Sequence, residues 1–253
     1  MRLENKAAIV TGGGSGIGRG ISLEFAAEGA RVAIVDLNAD NAKSVAAEID
    51  GAGGTALAVT CDITDEKAVA AMAETVAEAF GGVDILVNNA GRRIIKSFAD
   101  HTLADWRAMI DTNLTSQFLC GRAVLPFMQR ANKGRVINIA SVAAHIGRPD
   151  RAAYCAAKSG ILGLTRGFAA DMAGTGIRVN SISPGSIHTP MNAVYATDEN
   201  VDWGGETLAG RWGTPADIAK AAVFLASDDS DFMTGSDMKV EGGWLAARAR
   251  DGE

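Results

Sequence analysis

Along the chain, short runs of consecutive apolar residues alternate with longer stretches of helical spacing, separated by turns rich in small residues. The runs Ala7 to Val10, Arg31 to Val35, Ala56 to Thr60 and Asp84 to Val87 are short and largely apolar, which predicts buried strands of a parallel sheet. Between them, helical stretches run from about Arg19 to Glu28, Asp40 to Ile49 and Glu66 to Phe80. In the last, Val69, Met72, Val76 and Phe80 form one stripe that would face a core. A strand at Arg178 to Ile182, a helix from near Pro215 to Ser227 and a strand at Asp237 to Val240 continue the cycle. Thr214 is the expected N-cap of that helix, with Pro215 at its first position. Strand and helix alternating in this way predict an α/β fold, a single-domain, Rossmann-like, doubly wound parallel sheet flanked by helices.

The turns carry the chemistry. Thr11 to Gly18 reads TGGGSGIG between strand and helix, where backbone amides and a helix N-terminus can approach a phosphate; Gly12, Gly16 and Gly18 are the expected contacts. The second strand ends in Asp36, at the distance past the glycines where a carboxylate can hydrogen-bond an adenosine ribose. Such a carboxylate repels a 2'-phosphate, and neither Ser15 nor Leu37 supplies an offsetting cation, so NAD is the expected cofactor. Arg19 is the one local cation, and its helix should point it elsewhere. Asp62 follows the third strand and is placed to accept from an adenine amino group, and Asn88-Asn89-Ala90-Gly91 after the fourth is small enough to approach a cofactor.

With 253 residues and 47% apolar content the chain can bury a large core. Its net charge of -6 argues against a nucleic-acid or anionic-membrane surface. Cys61, Cys120 and Cys155 are widely spaced and odd in number, which suggests reduced thiols, not a disulfide framework or a thiolate metal site. The opening MRLENK leads directly into a short apolar run, and no run reaches transmembrane length. A soluble, cytoplasmic protein is expected.

Tyr154-Cys155-Ala156-Ala157-Lys158, with Ser141 upstream, can bring a phenol, an ammonium and a hydroxyl to one reacting carbon. On a helix, the i, i+4 spacing of Tyr154 and Lys158 places both on one face. A phenol titrates near ~10, and a neighbouring ammonium lowers that value, toward a useful base. Cys155 should turn away from the reacting carbon and act as a small packing residue.

Taken together, TGGGSGIG, Asp62, NNAG at Asn88 to Gly91, Asn113, INIAS ending at Ser141, YCAAK and Pro184-Gly185 resemble the short-chain dehydrogenase/reductase family from about Lys6 to Gly243. The resemblance implies that Tyr154 transfers the proton, that Lys158 lowers its pKa and holds the nicotinamide ribose, that Ser141 binds the substrate oxygen, and that Asn113 supports a water relay. It also implies cofactor contacts at Ser15, Ile17, Ile63, Asn89, Ala90, Gly91, Pro184, Gly185, Ile187 and Thr189, besides the residues above. A homotetramer is implied in the same way.

Arg92 and Arg93 follow NNAG, His145 and Arg148 follow Ser141, and His188 follows Pro184-Gly185; with Ser141 and Tyr154 they form a candidate substrate site able to hold an anion. The alternative is that these are solvated loop cations or neighbours of the cofactor pyrophosphate. The histidines are too dispersed to suggest a metal site. Residues from about 190 to 210, with Tyr195, Trp203 and Gly204-Gly205, read as a substrate lid. The paired arginines, GRWGTP at Gly210 to Pro215 and GGWLA at Gly242 to Ala246 resemble gluconate 5-dehydrogenases and 2-dehydro-3-deoxygluconate dehydrogenases. The expected reaction interconverts a secondary alcohol and a ketone on a sugar acid, sugar or polyol. The alternatives are a 3-oxoacyl-thioester reductase, against which Asp36 argues, and a catalytically silent NAD-binding sensor.

Overall fold

The computed structural model describes residues 1–193 and 207–247. Seven strands form one parallel sheet in the order β3-β2-β1-β4-β5-β6-β7: β1 Ala7–Thr11, β2 Arg31–Asp36, β3 Thr55–Thr60, β4 Ile85–Asn88, β5 Gly134–Ile139, β6 Ile177–Pro184 and β7 Asp237–Val240. The helices of the described residues are α1 Gly16–Ala27, α2 Ala39–Gly51, α3 Glu66–Phe80, α4 Leu103–Ile110, α5 Ser116–Ala131, α6 Ala152–Asp171 and α7 Pro215–Ala226.

Both faces of the sheet are covered, which is why the central strands carry apolar residues at consecutive positions. Ala8, Val10, Val32 and Ile34 join Ile21 and Phe25 of α1, Val45 and Ile49 of α2, and Ile218 and Val223 of α7 in one core. Their neighbours Ala7, Ile9, Ala33 and Val35 face the other core, with Val69, Met72 and Val76 of α3 and Val124 and Met128 of α5. The expected α3 stripe is therefore buried. At the edge, β3 is only partly buried along most of its length. The Asp217 carboxylate accepts from the Thr214 backbone N–H at 2.8 Å and from its hydroxyl at 3.0 Å, closing the start of α7.

Two boundaries differ from the sequence pattern for local reasons. Helix α1 starts at Gly16, not near Arg19, so its first turn is built from the glycine motif itself. Asn113 lies in a π-helical turn, Asp111–Thr115, between α4 and α5. Its side-chain Nδ2 donates to the Met109 carbonyl at 2.9 Å, the acceptor its own backbone N–H would use in an α-helix, and the backbone opens into the wider turn. Strand order reverses beside β1, whose neighbours are β2 and β4, and a cleft opens there at the carboxyl ends of the strands.

Candidate active site

One cleft of about 680 Å³ holds most of the residues singled out in the sequence. Its floor is zipped together by short-range polar contacts. The Thr11 hydroxyl oxygen accepts from the Asn89 and Ala90 backbone N–H groups at 3.0 and 3.1 Å, and Asn89 Nδ2 donates to the Thr11 and Gly12 carbonyls at 2.9 and 3.2 Å. This draws the NNAG turn against the glycine loop so closely that a Cβ on Gly12, which has φ +61°, would lie 2.9 Å from Ala90 Cα. A Cβ on Gly18 would lie 2.1 Å from the Gly12 carbonyl oxygen. Gly12, Ser15, Gly16 and Ile17 line the cleft, whereas Gly18 does not. Gly18 permits close packing beneath the loop, where Gly12 and Asn89 lie against it. The cradle, open at the N-terminus of α1, fits the pyrophosphate of a dinucleotide.

Asp36 is held in place by two backbone donors: Gly14 N–H to Oδ2 at 3.0 Å and Asn38 N–H to Oδ1 at 2.9 Å. Arg19, the cation on the helix that follows the glycine loop, is paired with Glu48 at 2.7 Å. Asp62 and Ile63 line the same end; hydrogen bonds from the Thr64 hydroxyl and backbone N–H hold the Asp62 carboxyl below its ordinary value. At the other end, Pro184, Gly185, Ile187 and Thr189 line the wall, and Thr189 side-chain carbons come within 3.4 Å of where a Gly16 Cβ would stand.

Ser141, Tyr154 and Lys158 converge between these ends. Ser141 caps a three-residue 3-10 turn, Val142–Ala144, its Oγ accepting from Ala143 N–H at 3.1 Å. Lys158 is buried one turn beyond Tyr154; its Nζ donates to the Ile139 carbonyl at 2.8 Å and sits 5.7 Å from the phenol ring centre. Burial pushes Lys158 down to about 8. Burial also raises Tyr154 above its ordinary value, opposed by a hydrogen bond with Ser141 and by the positive charges of Arg93 and Arg151. The ammonium is directed at the Ile139 carbonyl, and desolvation is the largest influence on the phenol. Asn113 is fully buried; besides Met109 it binds the Arg92 backbone on both sides, Oδ1 accepting from N–H at 3.2 Å and Nδ2 donating to the carbonyl at 3.1 Å.

Of the candidate substrate residues, Arg92, Arg93 and Arg148 line the cleft with Ser141 and Tyr154. His145 and His188 do not. His145 Nε2 lies 2.9 Å from Asp237 Oδ2 and 3.2 Å from Ser183 Oγ, and the His188 ring stacks on Trp212 at 4.7 Å. Pairing to β7 and ring stacking take both imidazoles out of the lining. Arg93 reaches the root of the expected lid, donating to Asn192 Oδ1 at 3.1 Å and the Met191 carbonyl at 2.9 Å. Tyr195, Trp203, Gly204 and Gly205 lie outside the described residues.

Sequence reasoning missed Arg151, Trp212 and Trp244 in the lining. Arg151 stands three residues before Tyr154, a helical spacing that could have marked it. Trp212 and Trp244 sit inside the GRWGTP and GGWLA patches, and the Arg148 guanidinium lies 4.9 Å from the Trp244 ring centre.

A family model described as enoyl-(acyl carrier protein) reductase matches residues 12–245, and the chain belongs to the short-chain dehydrogenase/reductase family. It is 40% identical over 245 residues to a D-threitol dehydrogenase from Mycolicibacterium smegmatis, covering 96% of this chain and 94% of that one. A 3-oxoacyl-acyl-carrier-protein reductase from Thermotoga maritima is 35% identical over 243 residues, covering 96% and 99%. The crystal structure of a candidate NAD(P)-dependent gluconate 5-dehydrogenase from Beutenbergia cavernae, with NADP bound at low occupancy, superposes with a TM-score of 0.92 at 38% identity over 97% of this chain and 98% of that one. The protein is an oxidoreductase acting on CH–OH groups. Among the described residues, no helix is long and apolar enough to cross a membrane.

Proposed function

We propose that the chain is an NAD-dependent dehydrogenase that interconverts a secondary hydroxyl and a ketone on a sugar acid, sugar or polyol. The observation that carries this reading is that Ser141, Tyr154 and Lys158 line one cleft together with Asp36 and with Arg93, Arg148 and Arg151. Nicotinamide, when bound, supplies the hydride acceptor that no side chain here can provide. In oxidation, the ionised form of Tyr154 takes the hydroxyl proton as the substrate C–H bond breaks and the carbonyl forms; in reduction, the neutral phenol returns it. Ser141 holds the substrate oxygen, and Lys158, protonated below about 8, favours the phenolate and can reach a ribose hydroxyl. Asn113 fixes the Arg92 backbone in the cleft lining.

The four arginines of the lining, Arg92, Arg93, Arg148 and Arg151, support a polyhydroxy acid over a neutral apolar alcohol. The D-threitol dehydrogenase and the candidate gluconate 5-dehydrogenase among its relatives support polyol and sugar-acid chemistry. The Thermotoga maritima relative keeps a 3-oxoacyl-thioester reductase as the second reading. A homotetramer is proposed as well, supported by the exposed Leu103 and Trp106 on α4 and Phe118 on α5. Initial rates of NADH and NADPH formation with D-gluconate, D-threitol and cyclohexanol test the function, with a 3-oxoacyl thioester assayed in reverse. Turnover of gluconate or threitol with NAD is expected; preference for cyclohexanol or for the thioester with NADPH would overturn the reading.

A further inference from the structure

We infer that His145 is a positioning residue for Ser141, acting through a polar brace to Asp237 and Ser183 that fixes the Ser141 turn between the sheet and α6. The inference rests on the proposed role of Ser141 as the partner of Tyr154 at the reacting carbon. The turn is short and is fastened at two sides. On the helix side, Ser159 Oγ donates to the Ala144 carbonyl at 3.1 Å, tying the turn to α6, the helix that carries Tyr154 and Lys158. On the sheet side, His145 closes the turn with its backbone N–H on the Val142 carbonyl at 3.0 Å and directs its ring at β7.

The anchor on the sheet is itself well fixed. Asp237 pairs with Ser181 in the β6–β7 register, and its Oδ1 accepts from the Ser181 and Ser183 hydroxyls at 2.6 and 2.9 Å. Ser181 and Ser183 are buried. An ionised carboxylate only accepts, so Nε2 of His145 carries the proton of the 2.9 Å contact to Oδ2. Apolar side chains would hold a turn against a sheet equally well, but they impose no direction; a satisfied polar group does. The direction matters because Ser141 Oγ already accepts from Ala143 N–H inside this turn. A turn free to tilt would move that acceptor bond and, with it, the hydroxyl that faces Tyr154.

The chain has two tyrosines, so with Tyr195→Phe as a common background, 3-fluorotyrosine incorporation and fluorine NMR report the ionisation of Tyr154 alone, without a substrate. Ser141→Ala should raise the ionisation midpoint, since the Ser141 hydrogen bond lowers it. His145→Ala should raise it in the same direction by about half a unit or more, and add nothing in the Ser141→Ala chain, the non-additivity of groups acting through one another. His145→Gln, which keeps a donor, should recover part of the shift; Asp237→Asn should behave as His145→Ala does. NADH affinity, read by fluorescence, should stay within about twofold in all of them. No shift with His145→Ala, or an equal shift in the Ser141→Ala chain, overturns the brace. No shift with Ser141→Ala overturns both the brace and the Ser141–Tyr154 partnership, whereas retained turnover in Tyr154→Phe sinks the proposed function alone.

Discussion

Replacing Asp36 by Asn removes one charge from the cofactor end of the cleft while keeping the side chain's shape. A 2'-phosphate placed about 4 Å from the carboxylate would be repelled by about 4 kcal/mol per unit-charge pair at an effective dielectric of 20. Asp36 is partly exposed, so solvent screening reduces this to roughly 2 kcal/mol, or about 30-fold in affinity. NAD should meanwhile lose a charge-assisted hydrogen bond to its ribose, worth roughly 1 to 2 kcal/mol. Together these terms come to about 3 to 4 kcal/mol, so the ratio of NADH to NADPH dissociation constants should swing in favour of NADPH by roughly 150- to 900-fold. Arg19 does not enter the arithmetic because Glu48 holds it. The Asn side chain keeps an oxygen to accept from the Gly14 or Asn38 N–H, so the glycine loop should survive, and the melting temperature should fall by no more than about 3 °C. Fluorescence titration with both reduced cofactors measures the swing, and calorimetry checks the loop. A wild-type chain that binds NADPH as tightly as NADH, or a ratio that moves less than about threefold, would refute the electrostatic argument.

Tyr154→Phe should lower turnover by at least about a hundredfold while sparing NADH affinity, and because burial raises the phenol's pKa, wild-type oxidation should accelerate from neutral to alkaline pH while reduction slows; a flat profile would count against Tyr154 as the base. Lys158→Met should abolish most activity yet stabilise the fold at pH 7 by roughly 1 to 3 kcal/mol, since the wild-type chain buries an ammonium there. Its folded pKa of about 8 lies below the unfolded value of 10.5. The unfolded chain thus binds more protons between those values, wild-type stability rises with pH through that window, and the advantage of Met in chemical denaturation should vanish toward its upper end. Gly18→Ala should cost roughly 2 kcal/mol or more or prevent folding, because the clash is with the Gly12 backbone; a variant with unchanged melting temperature and NADH affinity would contradict the packing.

The α/β architecture was legible because it is written in local periods: apolar runs for strands covered on two faces, and one-face stripes such as that of α3. The Gly-rich turn, Asp36 and the Tyr154–Lys158 pair were legible for the same reason, since each depends on spacing along one strand-turn-helix unit or one helical turn. Tertiary structure decided what depended on distant partners. Gly18 looks like its neighbours in sequence, but its place is set by Gly12 and Asn89 packed against it. His145 and His188 read as cleft cations until β7 and Trp212 supply them with nearer partners. Lys158 has the right spacing to lower the phenol, yet only the packed site sets the burial that raises Tyr154 and turns the ammonium to Ile139. Trp244, almost at the end of the described chain, reaches the cleft because β7 delivers it to the same edge as Ser141. Spacing along the chain fixes which face or turn a side chain occupies; its partners, and hence its charge state and direction, belong to contacts between elements far apart in sequence.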